Sequence, residues 1–248
     1  MEKINRILGF FMNTEEFFTA LNNVAESDGF AFDDLRARLP LGLDSENNTV
    51  VAGQREALFT HACVTGRGRT EFIRRLILTL ASLYDRSKVN FVVISPKRDY
   101  AELLRLNRAN VVAPLIDTLD GVMKALEFAR AQAIEKDKLG ANYGKLFLVL
   151  DGLETLSNGS FDCYLPFFNL AHAYGVDIIT GVDLLGSLFE DRPQDFIGVG
   201  QSLISVSSLD KADVVYAQKN GVLTLPISVR VPSEPSLAET LSYVNGLD

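Results

Sequence analysis

Apolar runs and amphipathic stretches alternate along the centre of the chain. Residues 59–65, 89–94, 146–151 and 176–180 are mostly apolar, without strict alternation. Runs of that length and composition predict strands covered on both faces. Between them the spacing turns helical. Phe72, Ile73, Leu76 and Leu80 fall on one face of a helix over 71–84. A long helix starts at Asp117 or Thr118 and reaches about Lys138. Another covers 161–174, with Gly175 fitting its C′ position. A short helix is expected over 100–106 and an extended run over 111–114.

The flanks read less evenly. Asn13 and Glu16 open a helix carrying Phe17, Phe18, Leu21 and Val24, which Asp28-Gly29 ends. A short helix over 33–38 stops at Pro40. Residues 39–44 and 49–52 form a hairpin-like lead into the core. Towards the C-terminus the pattern predicts a strand over 202–206, a helix over 212–219, strands over 222–225 and 227–231, and a last helix opened by Ser233 and ended near Asn245-Gly246.

Strands alternating with helices predict an α/β fold, a mostly parallel central sheet with helices on both faces. Residues 1–38 are then a helical lead-in and 39–248 one domain. Ligands of such sheets sit at the carboxyl ends of the strands. The turns at 66–70, 95–97, 151–154 and 180–183 each follow a strand and should meet at one edge.

Composition narrows the chemistry. The 248 residues are 47 % hydrophobic and carry a net charge of −8, with pI about 4.9. Duplex binding calls for a basic excess, so nucleic acid is disfavoured. The two cysteines, Cys63 and Cys163, lie in apolar settings and read as free thiols of a reducing compartment. His61 and His172 have no ligand-like spacing to them. No apolar run is long enough for a membrane span. The stretch Ile7, Leu8, Phe10, Phe11 and Met12 is too apolar for a free tail and is expected to pack on the core or on an adjacent module.

Two segments carry candidate chemistry. Phe59-Thr-His-Ala-Cys-Val-Thr-Gly-Arg-Gly-Arg-Thr70 reads as strand, Gly-rich turn and helix start, the setting of a phosphate-binding P-loop. The pattern G-x-x-x-x-G-K-[ST] is not met. Arg69 stands where the lysine belongs and Thr70 keeps the hydroxyl. Either Cys63 replaces the first glycine, or Gly66 is that glycine and the loop is about three residues short. Arg67, Gly68 and Arg69 beside a helix start can still attract an anion. The second segment, Leu146 to Leu156, is an apolar strand ending in Asp151, as in a Walker B site where the carboxylate serves Mg²⁺. Gly152 follows, where a water-polarising glutamate is expected. Glu154 is close in sequence, but a regular continuation of the turn aims it elsewhere. Thr70 and Asp151 are the metal positions if nucleotide binds. Lys97, behind Ser95-Pro96, and Thr180 close strands at the same edge and complete the candidate nucleotide contacts.

Assembled in order, these segments resemble the FtsK/SpoIIIE family of RecA-like motor ATPases. Leu39-Pro-Leu-Gly-Leu-Asp44 is loosely similar to its L-P-[IV]-x-L-G-x-D lead-in, and His61-Ala-Cys-Val-Thr-Gly66 to its H-L-L-V-x-G strand. Phe91-Val-Val-Ile-Ser-Pro-Lys97 is similar to F-x-x-I-D-P-K, with Ser95 in place of Asp. Leu148-Val-Leu-Asp151 matches the Walker B strand. Ala171-His-Ala-Tyr-Gly-Val-Asp-Ile-Ile-Thr180 resembles A-R-A-x-G-I-H-x-x-x-A-T-Q without its glutamine. Ser233 to Val244 resembles the final helix.

The departures fall at catalytic positions while the hydrophobic frame is kept. The resemblance therefore implies a RecA-like P-loop NTPase fold in degenerate form, closest in character to a C-terminal module of a type VII secretion ATPase of the EccC/EssC kind. It implies weak or no binding of ATP and Mg²⁺, and catalysis only if Asp151 and Glu154 still act. The implied partners are adjacent ATPase modules or a secreted protein substrate, in a possible ring. The setting is cytoplasmic, with the membrane met only through another domain or partner. The alternative is a DNA translocase relative that still binds ATP and DNA.

Overall fold

The computed structural model describes residues 39–45, 49–52, 61–83, 87–105, 110–112, 116, 118–140, 144–183, 201–208, 211–216 and 227–230. The expected helices before residue 39 and after residue 231, and the apolar stretch 7–12, lie outside them.

Among the described residues, ten strands form one sheet: β1 (Leu39–Leu43), β2 (Thr49–Ala52), β3 (His61–Thr65), β4 (Val89–Ile94), β5 (Asn110–Val112), β6 (Lys145–Asp151), β7 (Asp177–Gly181), β8 (Gln201–Ser208), β9 (Lys211–Tyr216) and β10 (Ile227–Arg230). Their order is β2-β1-β10-β9-β8-β3-β7-β6-β4-β5. The half from β8 to β5 is parallel throughout. The half from β2 to β9 is antiparallel and joins it through the β8–β9 pair. The expected α/β fold with a parallel centre is present.

Helices cover both faces because alternate residues of each central strand project to opposite sides. On one side Ala62, Val64, Phe91, Val93, Phe147 and Val149 pack with Phe72, Ile73, Leu76 and Leu80 of α1 (Arg69–Leu83). On the other, Cys63, Val92, Ile94, Leu146, Leu148 and Leu150 pack with α2 (Leu119–Leu139) and α3 (Leu165–Tyr174). Ala125, Ala129 and Ala133 let α2 lie close to the strands. Phe91 and Phe147 stack across β4 and β6 at 5.4 Å.

The ends of these helices follow local chemistry. Thr118 caps α2, its hydroxyl accepting the Gly121 amide at 3.1 Å. Thr118→Ala should cost about 1 kcal/mol, read as a lower urea midpoint at unchanged slope. Gly175 ends α3 at φ +57°, a left-handed conformation that disfavours other residues.

Three expectations need correction. Residues 211–216 form strand β9, where a helix over 212–219 is expected from sequence. Lys-Ala-Asp-Val-Val-Tyr has a period of two as well: Ala212 and Val214 are buried, and β8 supplies the partner that settles it as a strand. The helix expected over 100–106 is a 3-10 segment, Arg98–Arg105. The helix expected over 161–174 is divided into a 3-10 turn at Phe161–Cys163 and α3, because Pro166 fits only a first helical turn.

Candidate functional site

β3, β4, β6 and β7 run parallel and side by side, so their carboxyl ends share one edge. β3 ends at Thr65, and Gly66 turns the chain with φ +98°. A Cβ on Gly66 would lie 2.3 Å from the Val206 carbonyl oxygen of β8, so no larger residue fits that approach. The turn is tight. The Arg69 amide donates to the Gly66 carbonyl at 3.2 Å, and the Phe72 amide to that of Gly68 at 2.9 Å. Cys63 is buried inside β3 and takes no part in the turn. The loop is therefore the short version with Gly66 as its first glycine, and the Arg69 amide is spent within the turn.

Arg69 opens α1, and its side chain runs back over the ends of β6 and β7. Its Nε donates to Asp151 Oδ1 at 3.1 Å and its Nη2 to Glu154 Oε1 at 2.9 Å. Asp151 Oδ2 accepts the Thr70 hydroxyl at 2.7 Å and the Tyr100 hydroxyl at 3.0 Å. Glu154 Oε2 accepts the Tyr164 hydroxyl at 2.5 Å, and its Oε1 accepts the Asp183 amide at 3.3 Å. Tyr164 also accepts the Leu153 amide at 2.9 Å. Asp151 is fully buried; Arg69 and Glu154 are 9 % and 8 % exposed.

The expectation that Glu154 points away is overturned. Gly152 adopts φ +75°, its amide donates to the Gly181 carbonyl, and a 3-10 turn follows at Leu153–Thr155. That left-handed step breaks the regular continuation and swings Glu154 inward. Two carboxylates draw the Arg69 guanidinium inside.

Other predicted residues are distributed unequally. Lys97 is exposed, but its Cε lies 3.9 Å from where a Gly152 Cβ would be, beside the cluster. Ser95 is buried, and its hydroxyl accepts the Lys97 amide at 3.2 Å. Arg67 is exposed on the turn. Thr180 is not in the cluster; its hydroxyl meets His61 Nε2 at 3.1 Å in the core. Sequence reasoning missed Tyr100 and Tyr164, which sit in ordinary amphipathic positions, and Gly181. A Cβ on Gly181 would lie 2.2 Å from Asp151 Oδ1 and 2.8 Å from Ile73 Cδ1. Gly181→Ala should cost about 1–3 kcal/mol through that overlap, measured by urea unfolding, whereas Gly159→Ala lacks any such clash.

Electrostatics agree with the contacts. Burial opposes the charge on Arg69, but Asp151 and Glu154 outweigh it and raise its pKa. Burial, with Asp151 for Tyr100 and Glu154 for Tyr164, holds both phenols well above their usual range. Burial pushes the Cys63 thiol up to about 12, leaving it unreactive.

The fold implies Mg²⁺ and a nucleotide triphosphate at this edge. The arrangement does not fit them. A divalent ion needs free carboxylate and hydroxyl lone pairs. Asp151 already accepts three donors, and the Arg69 guanidinium bridges the two carboxylates.

Residues 20–137 match the FtsK/SpoIIIE family. The match covers a little under half of the chain, and over that stretch the chain is similar to the family. No curated protein sequence matches it. Among solved structures, the domain is similar to the cytoplasmic domain of the Thermomonospora curvata type VII secretion ATPase EccC, with TM-score 0.58 and 13 % identity over 80 % of this chain and 26 % of that one. It is similar to T. curvata EccC (ATPases 2 and 3), solved in complex with a signal sequence peptide, with TM-score 0.56 and 13 % identity over 82 % of this chain and 42 % of that one. It is also similar to EssC (ATPases 2 and 3) from Geobacillus thermodenitrificans, with TM-score 0.55 and 12 % identity over 85 % and 48 %. The domain thus spans a quarter to a half of those chains and shares the fold of their P-loop modules. No described helix is long and apolar enough to cross a membrane.

Proposed function

We propose that this domain is a catalytically degenerate ATPase module that acts as a docking or regulatory unit of a secretion-type motor. The observation that carries the reading is Arg69, bridged at 3.1 and 2.9 Å to the two carboxylates a working site would leave for metal and water. A nucleotide would have to expel a paired, buried guanidinium before meeting the edge, and would find no lysine in the turn itself. Glu154 is turned inward, but it already accepts from Arg69, Tyr164 and Asp183, and its charge is paired with the Arg69 guanidinium, which weakens it as a base for an attacking water.

Partners follow from the context of similar modules. EccC and EssC carry several ATPase modules in one chain, and one EccC structure holds a signal sequence peptide. An adjacent module or a secreted protein segment is therefore the partner class we assign, on the cytoplasmic side of a membrane reached through other parts of the assembly. The net charge of −8 favours protein over DNA.

Calorimetric titration with ATP·Mg²⁺ tests the reading. Two lost charge-assisted contacts, at about 1.5–3 kcal/mol each, weaken binding by about two to four decades. The expected dissociation constant is at or above about 1 mM. A micromolar constant with Mg²⁺-dependent turnover that Glu154→Gln abolishes would overturn it.

A further inference from the structure

We propose that Arg69 is an internal cation clasp that holds the carboxyl edge of the sheet assembled without nucleotide. The inference rests on the reading that this edge takes no ATP·Mg²⁺. Five separate segments meet at the guanidinium and its two carboxylates. Arg69 and Thr70 come from the β3–α1 turn, and Asp151 and Glu154 from the end of β6. Tyr100 comes from the segment after β4, Tyr164 from the start of α3, and the Asp183 amide from the chain leaving β7.

In a working motor domain, bridging between such segments falls to a bound ion and phosphate oxygens, which come and go with turnover. Here the bridging cation is covalently attached. It cannot dissociate, and a planar fork spans two carboxylates where a single lysine ammonium gives one point of contact. The edge is thereby held in one arrangement, and a module docked against it would meet the same surface whether or not ATP is abundant. Arg69 acts here as a positioning residue: it sets where Glu154 lies, and through Glu154 the Asp183 amide and the Tyr164 hydroxyl.

Amide hydrogen exchange on the full chain provides the test. The probes are the amides of Leu153 and Asp183, which donate to Tyr164 and Glu154, with Phe91 and Val149 of the central strands as controls. In the unaltered protein, 5 mM ATP·Mg²⁺ should change exchange at these amides by less than about twofold. Arg69→Ala should accelerate Leu153 and Asp183 by about tenfold more than the controls. Arg69→Lys and Glu154→Gln keep size and most of the packing, so they carry the test if the alanine variant does not fold. Both should accelerate Asp183 in the same direction. Exchange at Leu153 and Asp183 that matches the unaltered protein in all three variants would overturn the clasp. Slowing of these amides by ATP·Mg²⁺ in the unaltered protein would instead strike the underlying reading, and it leaves the variant comparison intact.

Discussion

Replacing Arg69 by alanine should lower folding stability by about 3–5 kcal/mol, read as a fall in the urea midpoint with an unchanged slope. The size comes from what is left behind. Asp151 is fully buried and Glu154 is 8 % exposed, so both carboxylates would stay in a site that water reaches poorly. The lost attraction is only part of the cost; the larger part is desolvated negative charge with no counter-ion. The exposed pair of Lys124 and Asp120, on the outside of α2, is the internal contrast. Its side chains are 74 % and 75 % accessible, and Lys124→Ala should leave the midpoint in place.

The same reasoning predicts recovery by neutralisation. Arg69→Met combined with Asp151→Asn and Glu154→Gln removes all three charges while keeping volume, and should regain most of the loss. Tyr100, Tyr164 and Thr70 can still donate to the amide oxygens. If Arg69→Ala alone shifts the midpoint by less than about 1 kcal/mol, the guanidinium is not the counter-ion the distances imply.

Much of this arrangement is legible in the sequence, for a physical reason. Strands 89–94 and 146–151 are apolar on both faces, and that pattern demands a buried parallel strand whatever lies around it. Parallel neighbours then bring Gly66, Ser95 and Asp151 to one edge by topology alone. What the sequence hides depends on single backbone angles and on distant partners. Glu154 faces inward because Gly152 takes a left-handed step, and a residue-by-residue extrapolation of the turn has no access to that. Tyr164 looks like one more apolar helix position until its hydroxyl is seen to hold Glu154 and the Leu153 amide. Strand β9 is hidden differently: its short pattern satisfies both periods, and pairing with β8 decides it.

The second large effect concerns acid. His61 lies in β3 at 1 % exposure, its ring 4.8 Å from that of Phe168 and its Nε2 3.1 Å from the Thr180 hydroxyl. Burial lowers its pKa from 6.5 to about 3. Its folded pKa is thus below its unfolded value, so between those limits the unfolded chain binds a proton that the folded chain refuses. Stability is therefore complete above about pH 6.5 and drains away as pH falls towards 3, by about 1.4 kcal/mol per unit. Between pH 7 and pH 4.5 this one ring should remove about 2–3 kcal/mol. Carboxylates add their own slope at the acid end, so the measurement is a difference. Urea midpoints are taken at half-unit intervals for the unaltered protein and for His61→Gln, which has no proton to gain in this window. The two curves should diverge below pH 6.5 with a slope of about one proton. Parallel curves from pH 7 to 4.5, or a His61 ring signal that titrates near pH 6 in the folded protein, would show that the ring is charged where it sits.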